Sequence, residues 1–270
     1  MTDILSPQSM EPYLREKAAI RIYPSLESTN NTAKTIPNPE HGTVVMADYQ
    51  TAGRGRHGRS FFSPPGCGIY MSVILRAGQF WLDNLALMTP MAAVAVCEAI
   101  EATTQKSPQI KWVNDIFLNE KKICGILTET VMNTNGKAGH NSGIGYTNDI
   151  SHIVVGIGIN FTMPPGGFPP EISQTAGALF ESSEEVHRKI ARNQLVAEII
   201  NRLLAPENSM QKIITEYEKR LLVLQRRVSV INADATYEAT VVGIDAQCGL
   251  IVQTDNGETS TLTAGEIRLQ

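Results

Sequence analysis

A chain of 270 residues, 42% hydrophobic and 19% charged, can bury one large core, or a large and a small one, and is not disordered. With 23 basic and 27 acidic residues, the net charge of −4 argues against a surface devoted to DNA or RNA, while leaving a local basic patch open. Cys67, Cys97, Cys124 and Cys248 are widely spaced and the histidines show no H-x-H or H-x-x-x-H pair. Free thiols in a cytoplasmic protein are therefore expected, without disulfides or a protein-bound metal.

The N-terminus "MTDILSPQSMEPYLREK" has no basic n-region or apolar h-region, so no signal peptide is expected. "AAIRIYPSL" reads as a first strand, and "STNNTAKTI" as a short helix opened by a Ser/Thr cap. "TVVMADYQ" is a strand entering a glycine-arginine loop, and "CGIYMSVIL" is the strand leaving it. From Leu82 to Ile100 apolar residues recur at helical spacing, predicting one long core helix that Pro90 bends or starts. The apolar run there is interrupted by Thr89 and Pro90, so it reads as buried and not as a membrane span.

"QIKWV", "DIFLN" and "KKICGILTETV" predict an antiparallel meander. The polar stretch Asn133–Asn148 reads as a long surface loop, and "HIVVGIGINF" returns as a strand ended by "MPPGGFPP". Amphipathic helices are expected over Ser183–Leu204 and Glu207–Leu224. Beyond "QRRV" the texture changes to short alternating strands and turns such as "DNG". This predicts two domains, 1–224 and 225–270, the second a small β-barrel.

Four clusters carry candidate chemistry. "QTAGRGRHGR" alternates Gly53, Gly55 and Gly58 with Arg54, Arg56 and Arg59. Glycines free backbone N–H groups for oxygens and guanidiniums neutralise charge bidentately, as a phosphate site requires; Phe61 and Phe62 would cover a ligand ring. The loop alone also suits an RGG-like nucleic-acid contact or an exposed hairpin. It is neither a P-loop nor a strand–GxGxxG–helix. In "KWVNDIFLNEKKICGILTE", Lys111, Asn114 and Asp115 stand at a strand end, and Lys122 opens the next strand ahead of Gly125; solvated hairpin lysines are the plain alternative, and Trp112 reads as core. In "VVGIGIN", Gly156 and Gly158 mark close approach of a backbone or ligand, with Asn160 at the strand end. "ESTN" is a helix cap that also offers Ser28, Thr29 and Asn30.

Taken together and in order, "STN", "QTAGRGRHGR", "KWVND", "KKICGIL", "GIGIN" and the tail with "GID" and "GEI" resemble the biotin–protein ligase family, from Arg21 to Leu269. The resemblance implies an α+β fold: a mixed or antiparallel sheet flanked by helices, like the class II synthetase and biotin ligase catalytic domain, with an SH3-like C-terminal barrel. It implies that biotin and ATP, with Mg²⁺, give biotinyl-5′-AMP and pyrophosphate, and that a lysine of a biotin carboxyl carrier domain of a carboxylase then takes the biotin. Ser28, Thr29, Asn30 and Gln50, with Gly53, Gly125 and Gly156, would hold biotin. Arg54, Gly55, Arg56, Phe61, Lys111, Asn114 and Asn160 would hold nucleotide. Lys122 would join the biotin carboxylate to the α-phosphate, with Arg54, Arg56 and Asp115 acting beside it.

The rival within the fold is a lipoate or octanoate ligase or transferase. Departures from the family pattern are Val113 for proline, His57 and Phe61 for Arg and Trp, and Cys124 for a smaller residue, expected to narrow the biotin pocket. About twenty residues precede the first strand, too few for a winged helix, so no repressor function is expected. Pairing of an edge strand would allow a homodimer. The glycine-rich loop is expected to be disordered when empty and to take order from phosphate contacts.

Overall fold

The computed structural model describes residues 4–133, 150–182, 192–206, 209–231 and 236–269. Most of the 133–148 loop and the first turns of the helix expected from Ser183 lie outside the described residues.

Alternating and fully apolar runs form the strands as their period predicts. They are β1 (Ala19–Leu26), β2 (Thr43–Gln50), β3 (Gly68–Arg76), β4 (Gln109–Lys111), β5 (Asp115–Leu118), β6 (Lys121–Met132) and β7 (Ile150–Asn160). They make one sheet in the order β1-β2-β3-β7-β6-β5-β4. Only the β1–β2 pair of that sheet is parallel; the other neighbours are antiparallel. Pro24 sits in β1, an edge strand, where its missing N–H costs the ladder nothing.

Helices α1 (Pro7–Met10), α2 (Thr29–Lys34), α3 (Gln79–Asp83), α4 (Met88–Thr104), α5 (Arg192–Leu204) and α6 (Met210–Lys219) complete this part. The expected helix over 82–100 is divided: α3 ends at Asn84, a 3₁₀ turn follows, and α4 runs on to Thr104. Pro90 is the third residue of α4, where its missing N–H has no intrahelical acceptor in any case. The segment Leu85–Thr104 is long and apolar enough to span a bilayer, but most of it is buried inside the protein. Small Ala92, Ala93, Ala95 and Ala99 let α4 approach the sheet and α5 closely. Arg220 locks the layer by gripping Glu101 at 2.7 and 2.9 Å, a bidentate pair.

Past α6 the strands β8 (Arg227–Ile231), β9 (Thr236–Ile244), β10 (Leu250–Gln253), β11 (Thr259–Leu262) and β12 (Glu266–Leu269) form an antiparallel sheet, ordered β11-β10-β9-β8-β12. Its "DNG" turn needs Gly257 at φ +87°. This is the SH3-like C-terminal unit. Its apolar face, including Val228, Val241 and Ile267, joins the same continuous core as the large sheet. The indole N–H of Trp112 donates to Cys248 O at 2.9 Å, tying the two units at the β4–β5 turn, and Tyr217 Oη of α6 donates to Val113 O of the same turn at 3.1 Å. The Trp112–Val113 peptide in that turn is cis.

The large sheet has two unlike faces. α4 and α5 cover one. On the other, α2 packs near β2 and β3 over Val45, Ile74 and Val154, leaving the rest open for a pocket.

Candidate active site

The floor of the pocket follows from strand register. Asp115 pairs with Gly125, Gly125 with Gly158, and Gly158 with Tyr70, so these four form one row across the sheet. The next row is Ser72, Gly156 and Leu127. Two adjacent glycines in the first row strip the floor of side chains, and the Phe61 ring lies on them. A Cβ at Gly158 would fall 2.6 Å from Phe61 Cε1, and one at Gly125 3.3 Å from Cε2. Phe61 therefore sits over the sheet, edge-on to Tyr70, with ring centroids 6.5 Å apart.

Gly156 has a different use. A Cβ there would meet Asn30 Oδ1 at 2.0 Å, so the missing side chain makes room for Asn30, while Gly156 still lines the pocket. Gly53 is similarly tight, 2.4 Å from Phe61 O, which closes the base of the loop.

One end of the pocket is neutral and hydrogen-bonded throughout. Ser28 caps α2 through its hydroxyl, as the cap motif predicts. Thr29 N–H donates to Gln50 Oε1 at 2.9 Å, and the Thr29 hydroxyl lies 3.2 Å from the same oxygen. Gln50 Nε2 donates to Ser63 Oγ at 2.8 Å, whose hydroxyl donates to Phe61 O at 2.9 Å. Ser72, wholly buried, donates to Asn30 Oδ1 at 2.6 Å and lies 2.8 Å from Thr29 Oγ1. Sequence reasoning passed over Ser72, although a lone hydroxyl inside "IYMSVIL" was its signal.

The other end is cationic. Arg54, Arg56, Arg59, Lys111 and Lys122 line the pocket against the carboxylates of Asp115 and Glu266, a local positive excess on an acidic chain. Lys122 Nζ is 2.7 Å from Asp115 Oδ1 and 3.4 Å from where a Gly125 Cβ would stand. The Lys122 backbone is pinned on both sides, its N–H donating to Thr175 O at 2.8 Å and its C=O accepting from Gly177 N at 2.9 Å. Burial lowers the Lys111 ammonium from the ordinary lysine range, against the opposing pull of Asp115. Asn114 is clamped: its Nδ2 donates to Ile126 O at 2.9 Å and its Oδ1 accepts from Arg56 Nη1 at 3.0 Å.

The glycine-arginine loop is a compact hairpin. Gly55 N donates to Arg59 O at 2.7 Å and Phe61 N to Gly53 O at 2.8 Å, around a 3₁₀ turn at Arg56–Gly58. Its arginines are held by three different places: Arg54 by Glu129, Arg56 by Asn114, and Arg59 by Glu266 of the C-terminal unit. Contacts with protein groups thus reach the loop from three sides. The Arg59 guanidinium holds the Glu266 carboxyl below the usual range. His57 is exposed at φ +54°, in the left-handed region.

Two expected residues stand elsewhere. Asn160 is outside the lining; its Nδ2 donates to Gly177 O at 2.9 Å and supports the segment that pins Lys122. Cys124 does not narrow the pocket, because it alternates to the opposite side of β6, fully buried in the core, where burial raises its thiol. Trp112 is core, as expected, while also bordering the pocket.

Comparison with known proteins agrees with this geometry. Residues 22–146 match the model of the biotin/lipoate A/B protein ligase family, and residues 223–269 match that of the biotin protein ligase C-terminal domain. The chain is 33% identical over 243 residues to the bifunctional ligase/repressor BirA of Bacillus subtilis, covering 86% of this chain and 68% of the relative. It is 25% identical over 233 residues to the biotin–[acetyl-CoA-carboxylase] ligase of Mycobacterium tuberculosis, covering 84% and 78%. The structure of the Aquifex aeolicus biotin protein ligase in complex with biotin and ATP superposes with a TM-score of 0.74 at 25% identity, covering 93% of this chain and 98% of the other.

Fold and pocket thus define a ligase whose site has a neutral polar end and a cationic end. The chain belongs to the biotin protein ligase family.

Proposed function

We propose that this chain activates biotin with ATP and passes it to a lysine of a carrier domain in a biotin-dependent carboxylase. The observation that carries the reading is Lys122: its ammonium stands at the junction of the glycine floor and the arginine loop, held by Asp115 at 2.7 Å. In the first step a biotin carboxylate oxygen bonds to the α-phosphorus of ATP, and the bond to the β-phosphate oxygen breaks, releasing pyrophosphate. Lys122 offsets the negative charge that gathers on the oxygens as carboxylate and phosphate meet. In the second step a carrier lysine, as its free amine, attacks the acyl carbon; the bond from that carbon to the phosphate oxygen breaks, AMP leaves, and the proton lost by the amine passes to solvent. Asp115 is the carboxylate available to orient the incoming amine.

Thr29, Gln50 and Ser28, with Asn30 behind them, suit the ureido ring, which is neutral and both donates and accepts. Gly125 leaves the floor flat; Gly53 and Gly156 act through the loop base and Asn30. Arg54, Gly55 and Arg56 face the phosphates, with Lys111, Asn114 and Phe61 at the nucleotide end. Asn160 acts through the segment it supports.

Among the described residues no group of three His, Cys, Asp or Glu could hold a metal, and both lining carboxylates already face cations. A magnesium ion would enter as part of the nucleotide substrate, and Asp115 is the pocket carboxylate that would help hold it. When bound it shields phosphate charge. The division of the chain near residue 224 is read from the change to short alternating strands.

The test is pyrophosphate release by the protein with ATP, Mg²⁺ and either biotin or lipoate. Release with biotin alone is expected; release with lipoate alone would overturn the reading.

A further inference from the structure

Glu129 has no part in the chemistry above, yet its carboxylate gathers donors from both structures that border the pocket. It accepts from Lys34 Nζ at 2.9 Å and Asn30 Nδ2 at 3.0 Å, both on α2. It also accepts from Arg54 Nη1 of the loop, 3.1 Å from each oxygen. The same Nη1 donates to Asn31 Oδ1 at 2.8 Å.

Two features separate this cluster from an ordinary surface ion pair, which stabilises little. Every hydrogen bond Arg54's side chain makes among the described residues goes through Nη1. The other guanidinium edge, Nη2 and Nε, is uncommitted, and Arg54 lines the pocket. A guanidinium is a rigid planar fork, so anchoring one nitrogen aims the remaining donors. The charges also do not cancel: one carboxylate faces two cations. Lys34 balances Glu129, and the positive charge of Arg54 is left to act on an anion. Without Lys34, Glu129 would neutralise Arg54 instead.

We propose that Glu129 and Lys34 are positioning residues for Arg54, Glu129 aiming its guanidinium at the pocket and Lys34 keeping its charge available to nucleotide phosphate. This rests on the reading that Arg54 meets phosphate. The alternative is a clamp that merely fastens α2 to β6.

The two roles predict different kinetics. Glu129→Gln keeps the shape but replaces the charged anchor with a weaker neutral acceptor, so the rate constant for pyrophosphate release falls about tenfold while ATP affinity does not fall. Lys34→Gln leaves Glu129 facing Arg54 alone, so ATP affinity, measured by calorimetry without biotin, falls about five- to tenfold. Lys34→Arg restores it. The double variant Glu129→Gln/Lys34→Gln binds ATP more tightly than Lys34→Gln alone, because the neutralising carboxylate is gone. A plain clamp gives the opposite: the double variant no better than either single one, lower melting temperatures, and kinetic constants within about twofold of the parent. That outcome overturns the proposal. Calorimetry on ATP keeps this separate from the ligase reading, which fails only if the parent releases no pyrophosphate with biotin.

Discussion

Asp115 and Lys122 face each other across the β5–β6 hairpin, carboxylate to ammonium at 2.7 Å, at the edge of a floor that has no side chain at Gly125 and Gly158. The hairpin carries a register shift between Ile116 and Phe117, and Phe117 pairs with Lys122 itself. Bulges re-aim side chains next to sites, and here the unpaired residue is Ile123, immediately after the lysine on which the proposed chemistry depends.

Replacing that lysine tests the electrostatic role directly. Lys122→Met should slow adenylate formation by about 10²–10³-fold, the scale of a lost charge-stabilising donor. Lys122 is partly exposed, so the circular dichroism and melting curve should stay near those of the parent. Pyrophosphate release in a single turnover is the measurement.

Arg56 bridges the loop to Asn114, and its removal should loosen closure over the intermediate. Arg56→Gly is expected to speed escape of biotinyl-AMP by about tenfold, roughly the worth of a charge-assisted contact. The half-life of the enzyme-bound intermediate after rapid gel filtration reports it. An unchanged half-life would show that the loop does not retain the adenylate.

The use of Gly156 can be checked by stability alone. Gly156→Ala puts a methyl 2.0 Å from Asn30 Oδ1 and should cost about 1–3 kcal/mol by denaturant unfolding. Adding Asn30→Ala should recover part of that loss, since the two changes share one space. Simple additivity would show that Asn30 is not what fills it.

Acid stability should report Glu198. Burial would raise its carboxyl, but hydrogen bonds from Arg15 and Arg202 outweigh this and bring it down to about 2 from an ordinary 4.5. Its folded value lies below its unfolded one, so its contribution is present above about pH 4.5 and is lost as the pH falls towards 2. Glu198→Gln should lower the melting temperature at pH 7 by about 2–4 °C, and the difference from the parent should vanish near pH 2.

Strand positions, the Ser28 cap, the "DNG" turn and the core role of Trp112 were legible because each rests on local chemistry: period, capping oxygen, backbone freedom, bulk. So was the clustering of arginines and glycines, which already implied an anion. The resemblance joined these pieces into a reaction. Less was legible wherever a residue's use depends on the strand beside it. Cys124 looked like an intruder in the pocket, but alternation along β6 sends it to the core. Gly156 read as room for a ligand, and the close approach of Asn30 from α2 could not be read from its spacing. Asn160 read as a nucleotide contact, and its bond to Gly177 O depends on a segment seventeen residues on that the strand pattern does not place. The helix over 82–100 read as continuous because apolar spacing alone does not mark the break that follows Asn84.

By itself, then, the sequence determined which segments are strands or helices and that a cluster of guanidiniums would sit on a glycine-rich turn. Tertiary structure alone decided what each guanidinium faces. Arg54, Arg56 and Arg59 stand within six residues of one loop, but their partners come from β6, the β4–β5 turn and the C-terminal unit, up to 207 positions away. Spacing along a chain carries no information about such distances. Only packing of the C-terminal unit against the mouth of the pocket brings Glu266 to Arg59, and only the register of β6 turns Glu129 towards Arg54.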